Sequence, residues 1–367
     1  MVRHPVVKPS LSVVLQTYNR PQFLARSLIY YAALRFPYAI IVADSSAEST
    51  AQANRQLANT LRHNLNLDYQ HYPEDIHVAT KTARALELVS STYAVLVADD
   101  DFTVPTSMNQ GVEFLESHPD YAVVHGEAAY FVLRPGAIER GEIAGMGRYT
   151  QRTIELSTGS ERLINHLASY TTTYYSIHRT EQLRYNWQCA ARLHLDYSFV
   201  ELLPTCLSLV QGKSKKLGGL HIVRQSHSRQ TSQTELPRGA LDWIMNPVWF
   251  PQYVSMKDLL AKELARQDEI TEEQAGAVVK QAFMTYLARW IVEAWQAQHG
   301  RRTIPLRLRE SVRRIPGLRR AWRAGRFVMP IQRKAVSCEA LLRRTSIFYE
   351  DFMPIYRAIT SREAPSA

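Results

Sequence analysis

The sequence predicts an α/β protein: a mostly parallel sheet flanked by helices, followed by a helical carboxyl-terminal region. Three observations carry this expectation. Short apolar runs alternate with amphipathic helical patterns from Leu11 to about Ser117. The most apolar of these runs, Val95-Leu96-Val97-Ala98, stops abruptly at Asp99-Asp100-Asp101. Beyond Pro237 the strand-like runs give way to hydrophobic residues at three- and four-residue steps.

Leu11 to Gln16 reads as the first strand, and Thr17-Tyr18-Asn19-Arg20-Pro21 as a turn into a helix with proline at its first position, where the missing N–H costs nothing. Leu24, Leu28 and Ala32 mark that helix's buried face. Tyr38 to Ala43 is a second strand ending in Asp44-Ser45-Ser46, followed by a helix over Ala47 to Leu61 and a short strand at Leu67 to Gln70. A helix from Val78 to Val89 then leads into the strand that carries the three acids. Such alternation implies crossover connections and a sheet buried on both faces, with the acid-bearing strand ends converging at one edge.

A helix is expected over Ser107 to Ser117, strands at Tyr121 to His125 and Glu127 to Leu133, and an irregular stretch from Pro135 to Met146. Ser157 to Ser169 reads as a helix, Tyr174 to Ile177 as a strand, His194 to Val210 as a helix, and Lys216 to Val223 as a last strand. Two units follow, 1–240 and a helical region over 241–367, in keeping with a chain of 367 residues. In the second, Ala275, Val279, Ala282, Phe283, Tyr286, Leu287, Trp290 and Ile291 form an amphipathic stripe, opened by the capping box Thr271-Glu272-Glu273-Gln274 and stopped by Gly300. The stripe reads as core packing.

A hydrophobic content of 46% with 21% charged residues is that of a globular protein and excludes extensive disorder. The three cysteines form no C-x-x-C pair, so neither a disulfide framework nor a cysteine zinc site is expected, and a reducing compartment fits. The apolar run after Ser10 ends at Gln16 without a small-residue cleavage site, and no run of apolar residues is long enough for a membrane span. A cytoplasmic location is expected. The net charge of +10 is concentrated between Arg301 and Thr345, where fourteen Lys and Arg face two acids. Interleaved with Leu306, Leu308, Ile315, Leu318, Trp322 and Phe327, these residues suit a solvated or oligomer-forming face or a peripheral contact with anionic lipid at the inner face of the membrane. No nucleic-acid-binding module accompanies them.

Three adjacent carboxylates repel one another once water is partly excluded and require counter-charge. A divalent cation with oxygen ligands, itself holding phosphate, would supply it, and Asp44 at the neighbouring strand tip makes the crevice nucleotide-sized.

In order, Val13-Val14-Leu15-Gln16-Thr17-Tyr18-Asn19-Arg20-Pro21, Ile41-Val42-Ala43-Asp44-Ser45-Ser46 and Val95-Leu96-Val97-Ala98-Asp99-Asp100-Asp101 resemble the GT-A nucleotide-sugar-binding half of family 2 glycosyltransferases, over roughly residues 10 to 230. The resemblance implies a metal-dependent, inverting transfer of a sugar from a nucleoside diphosphate, UDP first, to a hydroxyl of a glycan, lipid-linked or protein-linked acceptor. By it Thr17, Asn19, Arg20 and Asp44 hold base and ribose, and Lys81 faces the nucleotide or is a solvated helix lysine. The family's D-x-D-D is matched only as Ala98-Asp99-Asp100-Asp101. Asp101 is then the leading ligand of Mg²⁺ or Mn²⁺, Asp100 a ribose or second metal contact, and Asp99 a further nucleotide contact. Asp196 is the matching general base or else a helix N-cap, with Glu201 in reserve. From the segment after the last strand, His227 would add a nitrogen ligand, and Arg224 and Arg229 would pair with phosphate oxygens. Two other readings are a sugar nucleotidyltransferase, against which the glycine-free Thr17 to Pro21 turn argues, and a non-catalytic nucleotide or sugar binder.

Overall fold

The computed structural model describes residues 10–230, 240–299 and 338–361. Strands β1 (Leu11–Thr17), β2 (Ala39–Asp44), β3 (Leu67–His71) and β4 (Tyr93–Ala98) are parallel, in the order β3-β2-β1-β4. Helices α1 (Pro21–Ala33), α2 (Glu48–Leu61) and α3 (Val78–Glu87) link them. Side chains alternate between two cores, as a two-residue period requires. Val14, Ile41 and Leu96 enter one. Val13, Leu15, Val42, Val95 and Val97 enter the other. These elements fall within a residue or two of their expected limits.

The second half of the sheet is mixed. After β5 (Phe102–Thr103) and α4 (Pro105–Ser117) come β6 (Tyr121–Leu133), β7 (Ile143–Tyr149), α5 (Gly159–Ala168), β8 (Ile177–Arg179), α6 (Thr180–Leu193), α7 (Tyr197–Gln211) and β9 (Lys213–Gln225). The three residues of β8 run antiparallel to both β4 and β6, and so join the parallel half to a long parallel β6–β9 pair. The two strands expected at 121–125 and 127–133 are one, with register shifts on either side of Glu127. At Gly126 a Cβ would lie 2.3 Å from the Gly219 carbonyl, so the two backbones approach too closely for any side chain. The expected helix from His194 begins only after a break, because His194 takes a left-handed conformation (φ 47°) that closes α6 and turns the chain into α7.

The carboxyl-terminal helices are α8 (Ala240–Ile244), α9 (Trp249–Asp268), α10 (Glu272–His299), α11 (Cys338–Leu341) and α12 (Tyr349–Thr360). The capping box forms: Thr271 N–H donates to Gln274 Oε1 (3.0 Å) and Gln274 N–H to Thr271 Oγ1 (3.2 Å). Gly300 and most of the basic stretch, 301–337, lie outside the described residues. Leu260 and Leu264 of α9 and Val279 and Phe283 of α10 share one core with Leu163, Phe199, Leu203 and the sheet residues Val14 and Leu96. The change of composition near residue 240 is therefore not a gap between cores. On the opposite face, Phe352, Ile355 and Ile359 of α12 pack into the core that contains Leu24 and Leu28 of α1. Burying each such side chain contributes about 1.5–3 kcal/mol. Among the described residues no helix is long and apolar enough to cross a membrane.

Candidate functional site

Parallel pairing of β1 with β2 and β4 sets Thr17, Asp44 and Ala98 at one edge of the sheet. Asp99, Asp100 and Asp101 continue from there and are all buried. Their counter-charge comes from the chain itself. Arg20, at the N-cap of α1, places its guanidinium 2.6 Å from Asp99 Oδ1 and 2.9 Å from Asp100 Oδ2. Arg224, at the end of β9, donates through Nε to Asp101 Oδ2 (3.1 Å), and the Gln225 backbone N–H donates to Asp101 Oδ1 (3.0 Å). His227 Nε2 donates to Asp100 Oδ2 (2.9 Å), and its ring stacks on Phe23 at 4.7 Å.

The loop backbone is fixed just as firmly. Fully buried Arg26 of α1 donates to the Asp100 carbonyl (2.8 Å), and Ser27 Oγ donates to the Asp99 carbonyl (2.5 Å). Burial pulls the Arg26 pKa down to about 10, which still leaves it charged at neutral pH. Arg224 lies against the faces of Tyr149 and Tyr175, at 4.6 and 4.4 Å from the ring centres.

Burial pushes the Asp99 carboxyl up to about 7 and Asp101 up to about 6, against the pull of Arg20 and Arg224 respectively. At Asp100 burial also works upward, but the bond from His227 and the charge of Arg20 outweigh it and hold this carboxyl below its ordinary range. The middle acid is thus the one whose surroundings favour the ionised form most.

The first two strand tips are tied together by Lys81, which is 5% exposed and not a solvated helix lysine. Its Nζ donates to the Thr17 carbonyl (3.1 Å) and to Ser45 Oγ (2.9 Å). Burial lowers its pKa to about 8 while Asp44 and Asp99, one on each neighbouring strand, hold it up. Thr17 Oγ1 donates to Asp99 Oδ2 (2.6 Å). Asn19, at φ 51°, links the first loop to the second, its N–H donating to Ser46 Oγ (2.7 Å) and its Oδ1 accepting from Ala47 N–H (2.9 Å). Asp44 is fully enclosed and accepts from Ser46 N–H (2.7 Å), Asn54 (2.7 Å) and the Tyr69 hydroxyl (2.6 Å).

Sequence-assigned residues therefore divide into four groups. Thr17, Arg20, Lys81, Asp99, Asp100, Asp101, Arg224 and His227 form one continuous network at the sheet edge. Asp44 and Asn19 order the adjoining loop through bonds within the protein. The Arg229 side chain stands at the surface, 3.4 Å from Glu139, while its backbone N–H donates to His227 Nδ1 (3.1 Å). Asp196 caps α7, accepting from Phe199 N–H (2.9 Å) and, through its other oxygen, from the Trp243 indole (2.9 Å). Arg26, Phe23, Tyr149 and Tyr175 were not anticipated. An arginine or a tyrosine inside an apolar pattern gives no sequence signal of the distant partner it will meet.

Among the described residues no three His, Cys, Asp or Glu side chains converge to hold a metal. The donors that fit one are two, Asp100 and His227, whose oxygen and nitrogen lie 2.9 Å apart at the sheet edge. Both oxygens of Asp101, the leading ligand by sequence, face Arg224 and the Gln225 amide. A hard cation commonly takes one or two protein ligands and fills its remaining positions with phosphate oxygens and water, and the pair suits that arrangement.

Most of the fold has a counterpart among solved structures. S. aureus TarS residues 1–349 in complex with UDP-GlcNAc superposes with a TM-score of 0.51 at 15% identity, over 80% of this chain and 76% of that one. The longer S. aureus TarS structure gives 0.48 at 16% identity, over 80% of this chain and 46% of that one. A mannosyltransferase, PcManGT from Pyrobaculum calidifontis, in complex with GDP-Man and Mn²⁺, gives 0.38 at 14%, over 87% and 84%. No family model and no curated protein matches the sequence. The fold is thus α/β of the GT-A kind, with a helical carboxyl-terminal region.

Proposed function

We propose that the protein is a glycosyltransferase that takes a sugar from a nucleoside diphosphate sugar and joins it to an acceptor hydroxyl. The observation that carries this reading is the single network at the β1, β4 and β9 ends, in which Arg20, Arg224 and His227 surround three consecutive buried carboxylates. A site that holds both signs of charge on fixed side chains suits a ligand with a diphosphate and its cation. The TarS fold match, solved with UDP-GlcNAc, supports UDP as the first nucleotide to try.

Asp100 and His227 would hold Mg²⁺ or Mn²⁺, which when bound offsets the negative charge that grows on the departing diphosphate. Arg20 and Arg224 fix the acids' positions and present guanidinium edges toward the same oxygens. Asp101 orients Arg224, and Asp99 with Thr17 and Lys81 holds the loop that meets the ribose. Asp44 acts through Ser46, which it positions, and not by touching the base. Asp196 is the candidate base: each of its oxygens keeps a lone pair after one accepted bond, and the helix it opens begins beside the site. Inversion at the sugar carbon follows if one displacement, aided by that base, completes the reaction.

A thermal-shift titration of UDP, GDP and dTDP with and without Mn²⁺ tests the reading. A shift that needs both nucleotide and Mn²⁺, lost in Asp100→Asn, is expected. No shift with any of the three would overturn it.

A further inference from the structure

A cavity of about 310 Å³ opens where α10 crosses α5 and α7. That volume is at the small end of ligand pockets, roughly 300–1,000 Å³. Tyr170, Tyr286 and Trp290 give it aromatic walls, with Tyr170 and Tyr286 edge-to-face at 5.5 Å. Glu201 lies within it and accepts from the Tyr170 hydroxyl (2.9 Å), which leaves its second oxygen free of any hydrogen bond within the described protein. At the rim Arg289 donates to Glu293 (2.6 Å) and to the Ala168 carbonyl (3.2 Å).

The cavity shares a helical turn with the charged site. Ser198 and Glu201 of α7 line it, and Tyr197, one turn before Glu201, neighbours it on the helix surface. Burial, then the Glu201 charge, pushes the Tyr197 phenol up to about 12, and the further charges it feels are Arg224, Arg20 and Asp100 of the strand-tip network. Asp196 caps the same turn.

We infer that this cavity is the acceptor subsite and that its occupant is a pyranose ring of a glycan. Flat aromatic faces pack against the C–H faces of a sugar ring, and Glu201, Ser198 and the Arg289–Glu293 pair offer acceptors and donors for its hydroxyls. An occupant held there meets Glu201, one helical turn from Tyr197, the residue that also feels the charges of the strand-tip network. The inference rests on the transferase reading for the word acceptor, but saccharide binding to the cavity stands or falls by itself.

The test is saturation-transfer NMR on the full chain with p-nitrophenyl glucoside, galactoside, mannoside and N-acetylglucosaminide, with maltose and chitobiose, and with choline as a cation that the same aromatics and carboxylates would suit. At least one saccharide is expected to bind. Trp290→Ala and Glu201→Gln should each weaken it about tenfold, Trp290→Phe should restore most of the Trp290→Ala loss, and the thermal shift by UDP and Mn²⁺ should be unchanged in both Trp290 variants. No binding by any saccharide, equal binding by the variants, or binding by choline alone would overturn the inference. Saccharide binding without any nucleotide shift would instead sink the transferase reading and leave the cavity assignment intact.

Discussion

The acidic triplet at the β4 tip and the three histidines beneath β6, β8 and β9 are equally buried, yet the sheet answers the first with arginines and the second with carbonyl oxygens. His125 of β6 donates through Nε2 to the Arg152 carbonyl (2.8 Å), His178 of β8 to the Thr173 carbonyl (2.9 Å), and His221 of β9 to the Tyr175 carbonyl (2.8 Å). Burial drives His125 down to about 3 and His178 to about 4, and it lowers His221 as well, so all three are neutral at ordinary pH. Neutral rings with bonded nitrogens stabilise a mixed sheet without any counter-ion. The acids lie at an edge where two arginines and a histidine must be fixed from helices and strands far away in sequence, an arrangement costly to keep for packing alone. At the β4 tip the sheet buries charge against charge, and across β6, β8 and β9 it buries neutral rings against carbonyls.

That contrast is sharpened most by Asp100→Asn. It removes the acid best held in its ionised form, together with half of the proposed metal pair. Turnover of the nucleotide sugar is expected to fall by roughly 10²–10³-fold, with Mn²⁺-dependent nucleotide binding lost and the urea midpoint lowered, because the ionised form that Arg20 and His227 favour is gone. Full turnover in this variant would make the triplet a structural cluster like the histidines.

Arg20→Met attacks the same cluster from its cationic side. Asp99 is fully buried and Asp100 nearly so, so removing their shared partner should cost about 3–5 kcal/mol in urea unfolding. Adding Asp99→Asn should return part of that loss, since the charge left unpaired is gone. If Arg20→Met is as stable as the parent, the counter-charge assignment is wrong.

Acidification probes the other cluster. A histidine whose folded pKa is depressed binds fewer protons folded than unfolded, so its contribution is fully present above the unfolded value near 6.5 and is lost as pH falls toward 3 to 4. Stability should decline from pH 6.5 to 4.5 by on the order of 1–3 kcal/mol for each of His125 and His178. Carboxylates elsewhere add to any acid loss, so the informative comparison is with His178→Gln, whose decline over that window should be shallower. An identical decline would show that the histidines are not the groups taking up protons.

The two clusters also mark how far the sequence could be read. Most of residues 11 to 98 was legible because β1, β2 and β4 are continuous apolar runs and because Pro21 announces a helix start, whereas β3 alternates and the two residues of β5 carry no pattern. Helix α6 was not, since its buried face includes Thr180 and Asn186 alongside Leu183, Trp187 and Ala190, and hydrophobic periodicity fades where polar residues are satisfied internally. The direction of β8 was equally hidden: three residues hold too little pattern to reveal that the chain runs back between β4 and β6. The identities of the charged side chains at the site were visible, but their pairing was not. Asp101 meets Arg224 across 123 residues, and Arg26 meets the Asp100 carbonyl across 74.

The smallest expected effect on stability, and the most discriminating between scaffold and ligand contact, belongs to Arg229. It has an exposed side chain and a 3.4 Å pair with Glu139. Pairs of that kind contribute little, so Arg229→Ala should leave the urea midpoint within about 0.5 kcal/mol of the parent. If Arg229 nonetheless reaches the diphosphate when a nucleotide binds, the Kd for UDP with Mn²⁺ should rise several-fold, and more at low salt than at high. An unchanged Kd at both salt concentrations would confine phosphate recognition to Arg20 and Arg224, the arginines already locked against the acids, and leave His227 as the one contribution of the segment beyond β9.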